Sequence, residues 1–309
     1  MPERINLSLM NPSDESIVSC PVCNNGNTYF VLKVKDYSVS REFFDVFECS
    51  RCTLRFTHQA PVGEKMGIYY ESEDYISHSN TRKGIINRLY HYVRHHTLSV
   101  KFHQIEKLTG LKLGHHLDIG AGTGVFVQYM NQHGWKSQGI EPDAKAREIA
   151  MAHHNTLLMP SGMFESLLPE TYDAISMWHV LEHVHELYPY LYKIKKLLKS
   201  QGLAFIAVPN YTSFDGRRYG EYWAAYDVPR HLYHFSPTSM KWLLSAAGFQ
   251  LTHTLPMWYD SYYISLLSEK YKNGHSSIPK GFLNGFISNF KAFRDKEKCS
   301  SLIYVASKA

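Results

Sequence analysis

The chain has 309 residues, 44% hydrophobic and 20% charged, the balance of a globular protein with a substantial core rather than a disordered or fibrous one. Its formal charge of +5 allows an anionic partner, but no dense Lys/Arg block marks a nucleic-acid face and no stretch reaches the roughly 20 apolar residues that cross a bilayer. The start lacks the regions of a signal peptide, so a cytoplasmic protein is expected, and the length predicts one large unit plus a small one.

Four of the five cysteines form two pairs, Cys20-Pro-Val-Cys23 and Cys49-Ser-Arg-Cys52, with 25 residues between them. Residues 28–34 and 43–47 between the pairs read as short strands, the layout of a zinc ribbon over residues 1–60. Four thiolates close a tetrahedral site with no open position, so the expected Zn2+ is structural; iron fits the same spacing, and zinc is preferred on ligand type. Cys299 stands alone. Residues 61–110 read as a polar, aromatic connector and a long helix, with Ile85, Leu89, Val93, Val100, Ile105 and Leu108 at helical spacing before Gly110. His91 and His95 on that helix are spaced to chelate, but no third ligand accompanies them and a solvated face is expected.

From residue 111 to 309 strands and helices alternate in the order of a parallel, doubly wound α/β sheet. Strands are predicted at 116–119, 137–140, 156–159, 172–178, 203–208, 249–255 and 301–307, with helices at 124–133, 143–153 and 187–198 and one capped by Ser236 and stopped by Gly248. Seven strands are thus expected.

The first of these strands runs into Asp118-Ile-Gly120-Ala121-Gly122-Thr-Gly124, a glycine-rich strand-to-helix turn where backbone can approach a ligand. The dinucleotide fingerprint would place its third glycine at position 125, which is Val125, so a pyrophosphate fits poorly. Glu141 closes the second strand where a carboxylate can accept bonds from both hydroxyls of a ribose. A nucleoside without phosphates fits best; the alternative is a tight connection that binds nothing.

These residues resemble the class I S-adenosylmethionine-dependent methyltransferases over roughly 85–309, with Asp118 to Gly124 as the first motif, Gly139-Ile-Glu141-Pro142 as the second, and 172–183 as the fourth-strand motif. The resemblance implies a Rossmann-like fold whose last strand is antiparallel. It also implies that Asp118, Gly120, Ala121, Gly122 and Gly124 line the S-adenosylmethionine site, with Glu141 and Pro142 at the ribose. Met163 and Phe164 would lie at the adenine, with Trp178 and His179 beside the cofactor. The adenine segment departs from the commonest pattern, which has an Asp nearby. The cysteine module is similar to that of sugar-methylating members of the class.

Methyl transfer needs alignment and, for a hydroxyl or acidic carbon, one proton acceptor. His231 is the first candidate, then His183, then His234, all expected at the carboxyl edge of the sheet with His179. Each reads equally as a group holding a loop, Glu182-His183 in particular, and alignment without a base is the other alternative. Residues 211–235 carry Tyr211, Phe214, Tyr219, Tyr222, Trp223 and Tyr226 with Arg217, Arg218 and Arg230, an expected lid for a sugar, aromatic or lipid-like acceptor or else a surface excursion. A helical insertion is expected over 260–298. Phe282, Phe286, Phe290 and Phe293 recur there among lysines and arginines, predicting a helix with its aromatic face in the core; the alternative is peripheral membrane contact through 281–298. The leading expectation is a small-molecule methyltransferase. The alternatives are a macromolecule methyltransferase using the ribbon for recognition, disfavoured by the ribbon's mixed charge and the absence of an Asn/Asp-Pro-Pro-Tyr motif, and a non-catalytic S-adenosylmethionine-binding scaffold.

Overall fold

The computed structural model describes residues 18–70, 85–275 and 277–309. Most of the connector, and the side chains of His91 and His95, lie outside the described residues. Strands β1 (Thr28–Lys35), β2 (Phe43–Cys49) and β3 (Arg55–Thr57) form an antiparallel ribbon sheet, followed by one helical turn, α1 (Glu64–Gly67). A fourth strand comes from far along the chain: β8 (Tyr233–His234) pairs with β3, Arg55 opposite His234 and Phe56 opposite Tyr233. Ribbon residues Val34 and Val46 are buried with Tyr211, Tyr219, Trp223 and Tyr226. The aromatic run of 211–235 therefore packs the ribbon onto the larger unit.

Helix α2 (Ile85–Thr109) ends at Gly110, whose φ of +71° suits a residue without Cβ. The main sheet contains β4 (His115–Ile119), β5 (Lys136–Ile140), β6 (Tyr172–Trp178), β7 (Leu198–Pro209), β9 (Phe249–Pro256) and β10 (Ser301–Lys308), in the spatial order β5-β4-β6-β7-β10-β9. The first four run parallel, and β10 lies antiparallel between β7 and β9. Helices α3 (Val125–Gln132), α4 (Ala144–His154), α5 (Leu187–Leu197), α6 (Phe214–Tyr219) and α7 (Pro237–Ala246) connect the strands. Asp143 caps α4 by accepting the Lys145 N–H, and Ser236 with Ser239 forms a capping box on α7. Alternation along the strands serves two cores. Ile175 and Met177 face Leu191 and Ile194 of α5 and Leu243 of α7, while Ala174, Phe205 and Ile303 face Phe102 and Ile105 of α2 and Phe126 of α3.

Among the described residues the sheet has six strands, not seven. The segment predicted as a strand at 156–159 makes a single bridge, Ile140 to Met159, with one bond given and one received by Met159. Asn155 ends α4 with a left-handed φ of 45°, and Pro160, which has no N–H, follows four residues after Thr156. Little length is left to build a ladder.

The last two helices, α8 (Asp260–Asn273) and α9 (Ile278–Arg294), pack on each other through small residues. A Cβ at Gly281 would sit 2.9 Å from the Leu266 Cα, and one at Gly285 2.8 Å from the Tyr262 Cα, so the two backbones meet closely. Gly281, Asn284, Gly285, Ser288 and Ala292 form the buried face of α9. The aromatic face points the other way, against expectation: Phe282, Phe286, Phe290 and Phe293 are 58%, 54%, 53% and 81% exposed. Close approach of the backbones selected the small face for the interior and left the large side chains outside.

Candidate active site

Strand β4 delivers Asp118 to the carboxyl edge of the sheet, and the chain turns through Gly120, Gly122 and Gly124 at φ of +72°, +54° and +73°. The Gly120 and Ala121 N–H groups both donate to the Ile140 carbonyl, fixing the turn against the end of β5. A Cβ at Gly120 would lie 2.4 Å from Val180 Cγ2, whereas one at Gly122 would meet nothing within 4 Å. The first glycine serves packing; the second leaves open space above its backbone. Glu141, 8% exposed, follows β5: its Oε2 accepts the Gly122 N–H at 2.7 Å and its Oε1 the Asp143 N–H at 2.9 Å. Each oxygen keeps an acceptor position for a ligand hydroxyl. Burial pushes the Glu141 carboxyl up, opposed by these two N–H donors. The Pro142 carbonyl accepts from Arg147 at 2.6 Å, holding the segment after β5 on α4.

Asp118 is 2% exposed and ends a directional chain. The Ser176 hydroxyl donates to its Oδ1 at 2.5 Å, so Ser176 Oγ accepts from His116 Nε2–H at 2.9 Å and His116 Nδ1 accepts from Ser137 Oγ at 2.8 Å. Burial drives His116 down to about 3, which keeps the ring neutral in this role. Burial raises Asp118 to about 6, opposed by the Ser176 bond and the charge of Lys101. Lys101 reaches from α2 and lies 4.1 Å from the centre of the Trp178 ring, a cation–π contact. Sequence reasoning missed Lys101, Ser176 and Asp260. Lys101 did carry a signal, since it stands one helical turn before Ile105 on the apolar stripe of α2; Ser176 and Asp260 carried none.

Trp178 stacks edge-on to Phe126 at 5.7 Å, and its buried indole N–H helps to hold the Asp118 carboxyl down. Next to it His179 adopts φ of +58°, a strained position for a residue with a Cβ. Its Nε2 is 2.9 Å from Asp260 Oδ2, and its Nδ1 3.3 Å from Glu182 Oε1. Burial alone would lower His179, but Asp260 and Glu182 together raise it to about 10 and hold an imidazolium. Phe164 is buried against Tyr190 with ring centres 4.8 Å apart, while Met163, ending a 3-10 turn, is 45% exposed.

The three histidine candidates separate into a pair and an outlier. His183 and His231 meet edge to face, ring centres 4.6 Å apart. His183 Nδ1 is 3.0 Å from the Arg230 carbonyl and His231 Nδ1 2.9 Å from the Ala225 carbonyl. Carbonyl oxygen only accepts, so each Nδ1 carries a proton, and in the neutral ring Nε2 holds the lone pair. Burial and the neighbouring His231 hold His183 down to about 4. His234 goes instead to the ribbon, where Thr57 Oγ1 is 3.2 Å from its Nε2 and Tyr226 packs on its ring. A cleft of about 660 Å3 lies between the ribbon and residues 211–238, lined by Arg55, Tyr211, Arg217 and Tyr226 among others, and by none of the candidate site residues.

In the ribbon the four thiols converge. Cys20 and Cys52 Sγ atoms are 3.5 Å apart, and those of Cys23 and Cys49 3.4 Å. Tetrahedral thiolates on zinc stand roughly 3.8 Å apart, given Zn–S bonds of about 2.3 Å. The Val22 and Arg51 N–H groups point at Cys20 and Cys49 sulfur, each at 3.4 Å, which favours the thiolate form that binds a metal. The residues fit a structural zinc ion.

A family model described as a methyltransferase domain matches residues 91–254, more than half of the chain. The chain belongs to this methyltransferase family. Among curated relatives, the methyltransferase is 29% identical over 94 residues to a mitochondrial ubiquinone biosynthesis O-methyltransferase of Schizosaccharomyces pombe, spanning 28% of this chain and 34% of that protein. It is 26% identical over 113 residues to the ubiquinone biosynthesis O-methyltransferase of Vibrio cholerae, spanning 34% of this chain and 46% of that one. The chain thus aligns with less than half the length of either relative. Solved structures similar to it include a SAM-dependent methyltransferase from Archaeoglobus fulgidus, with 18% identity, TM-score 0.45, 68% of this chain and 94% of that chain. Another is a phosphoethanolamine N-methyltransferase from Haemonchus contortus in complex with S-adenosyl-L-methionine, with 17% identity, TM-score 0.46, 67% of this chain and 52% of that chain. Among the described residues no helix is long and apolar enough to cross a membrane.

Proposed function

We propose that the protein binds S-adenosylmethionine at the Gly120–Gly124 turn and transfers its methyl group to a small-molecule acceptor, with 111–309 as the catalytic unit and 1–60 as a zinc-bearing ribbon. The observation that carries this reading is Glu141, a buried carboxylate oriented by the Gly122 and Asp143 N–H groups beside a glycine with open space above it. Bound there, S-adenosylmethionine supplies a methyl carbon already activated by its sulfonium. Asp118, held by Ser176, accepts from the cofactor's ammonium group, and Glu141 accepts from the ribose hydroxyls. His231, with a lone pair on Nε2, receives the acceptor's proton, and His183 is the second candidate. The names of the ubiquinone O-methyltransferase relatives favour an oxygen acceptor on a small molecule. The test is formation of S-adenosylhomocysteine with a panel of phenolic, sugar and lipid hydroxyl acceptors. Turnover with at least one, reduced more than tenfold in His231→Gln, supports the reading; cofactor binding without turnover across the panel supports the non-catalytic scaffold.

The exposed phenylalanines of α9 support a membrane-delivered acceptor. They stand beside Lys280, Lys291, Arg294, Lys296 and Lys298, the charge that complements an anionic bilayer surface. In our reading this face lies on anionic lipid, bringing an apolar acceptor to the enzyme.

A further inference from the structure

Glu182 is 0% exposed, yet among the described residues neither of its carboxylate oxygens has an aligned hydrogen-bond partner. His179 Nδ1 approaches Oε1 to 3.3 Å without the alignment of a hydrogen bond, because its ring is held on Asp260 by Nε2. A buried carboxylate lacking donors is rare and costly unless a cation balances it. The His179 imidazolium supplies one charge but no aligned donor, and the other neighbours are His183 and His231. Both have committed Nδ1–H to a main-chain carbonyl, which leaves Nε2 of each neutral ring as its ligand atom. His231 Nε2 stands 4.0 Å from Glu182 Oε1 and 3.9 Å from Asp227 Oδ2. One ligand atom each of Glu182, His183 and His231 lies within 4.8 Å of the other two.

Two imidazoles and a carboxylate without an aligned donor thus bring ligand atoms to one point, the arrangement that a bound cation satisfies. The main-chain carbonyls behind both rings are the outer-shell partners that fix the tautomer of metal-ligating histidine. We infer that Glu182, His183 and His231 bind a divalent transition-metal cation, a second metal site distinct from the four thiols. Two imidazoles and one carboxylate select a metal such as Mn2+, Fe2+ or Co2+ and leave positions open for an oxygen ligand. Cation binding stands without the proposed transfer activity; only the identity of that ligand, the acceptor hydroxyl, rests on it. With the metal bound, the His231 Nε2 lone pair is a ligand and no longer takes a proton, so the two roles exclude one another.

The experiment uses full-length protein with its thiol site filled with zinc, and no cofactor or acceptor. Mn2+ is titrated while the signal of free Mn2+ is followed by electron paramagnetic resonance, and Co2+ while d–d absorption is followed. One site per chain for either ion is expected, weakened at least tenfold in Glu182→Gln and His183→Ala and unchanged in Glu141→Ala. Circular dichroism and zinc content check each variant; if Glu182→Gln fails to fold, His183→Ala, at a partly exposed ring, decides. No binding of either ion, or binding unaltered in the folded variants, overturns the inference and leaves His231 free to act as the proton acceptor.

Discussion

Replacing Gly122 by alanine separates a ligand-binding turn from a mere connection. At φ of +54° an alanine costs about 1–2 kcal/mol, and because its Cβ would meet nothing within 4 Å no clash adds to this. For a domain of this size that lowers Tm by roughly 2–8 °C. The new methyl group stands where the cofactor's backbone contacts belong, and overpacking of that kind costs about 1–3 kcal/mol, or roughly 5- to 150-fold in Kd. Gly120→Ala adds a 2.4 Å approach to Val180 at φ of +72°, so its cost is about 2–5 kcal/mol and falls on stability first. Thermal melting and calorimetric titration with S-adenosylhomocysteine on both variants give the contrast. If Gly122→Ala binds within twofold of the parent, the open space above the turn is not cofactor space and the reasoning fails.

Three further outcomes follow from the same geometry. With Asp118 raised to about 6, its neutral form predominates below that value and cannot pair with the cofactor's ammonium; affinity should fall about tenfold per pH unit below about 6 and level off above it, and a flat profile down to about pH 5 would contradict the role. Stripping zinc with a strong chelator, or Cys52→Ser, should lower Tm and also expose the His231 segment to hydrogen exchange, since β8 ties it to the ribbon; unchanged exchange would show that the ribbon is dispensable to the site. Phe286→Ser with Phe290→Ser should reduce sedimentation with phosphatidylglycerol vesicles while leaving it negligible with phosphatidylcholine. Dimerisation of the parent without vesicles would assign the face to a second copy instead.

Much of the fold was legible because its signals are local. The glycine spacing at 120, 122 and 124 required left-handed backbone, and the caps at Asp143 and Ser236 and the stop at Gly248 marked helix ends without tertiary help. What depends on partners was not. The segment at 156–159 has strand composition but too little length before Pro160 to pair beyond one bridge. In α9 the phenylalanine period was plain, yet the competing small-residue face at Gly281 and Gly285 decided which side went inward. The tyrosine excess of 211–235 pointed to a functional surface, and much of it packs the ribbon onto the larger unit. No sequence spacing could bring His183 to His231, since their contact depends on main-chain carbonyls of Arg230 and Ala225.

The most direct test of the central claim is calorimetric titration of the zinc-replete protein with S-adenosylmethionine and S-adenosylhomocysteine, beside Glu141→Ala. Micromolar-range binding of both is expected, weakened at least tenfold in a variant that melts like the parent. Absence of binding by the folded parent, or equal binding by Glu141→Ala, would contradict the claim.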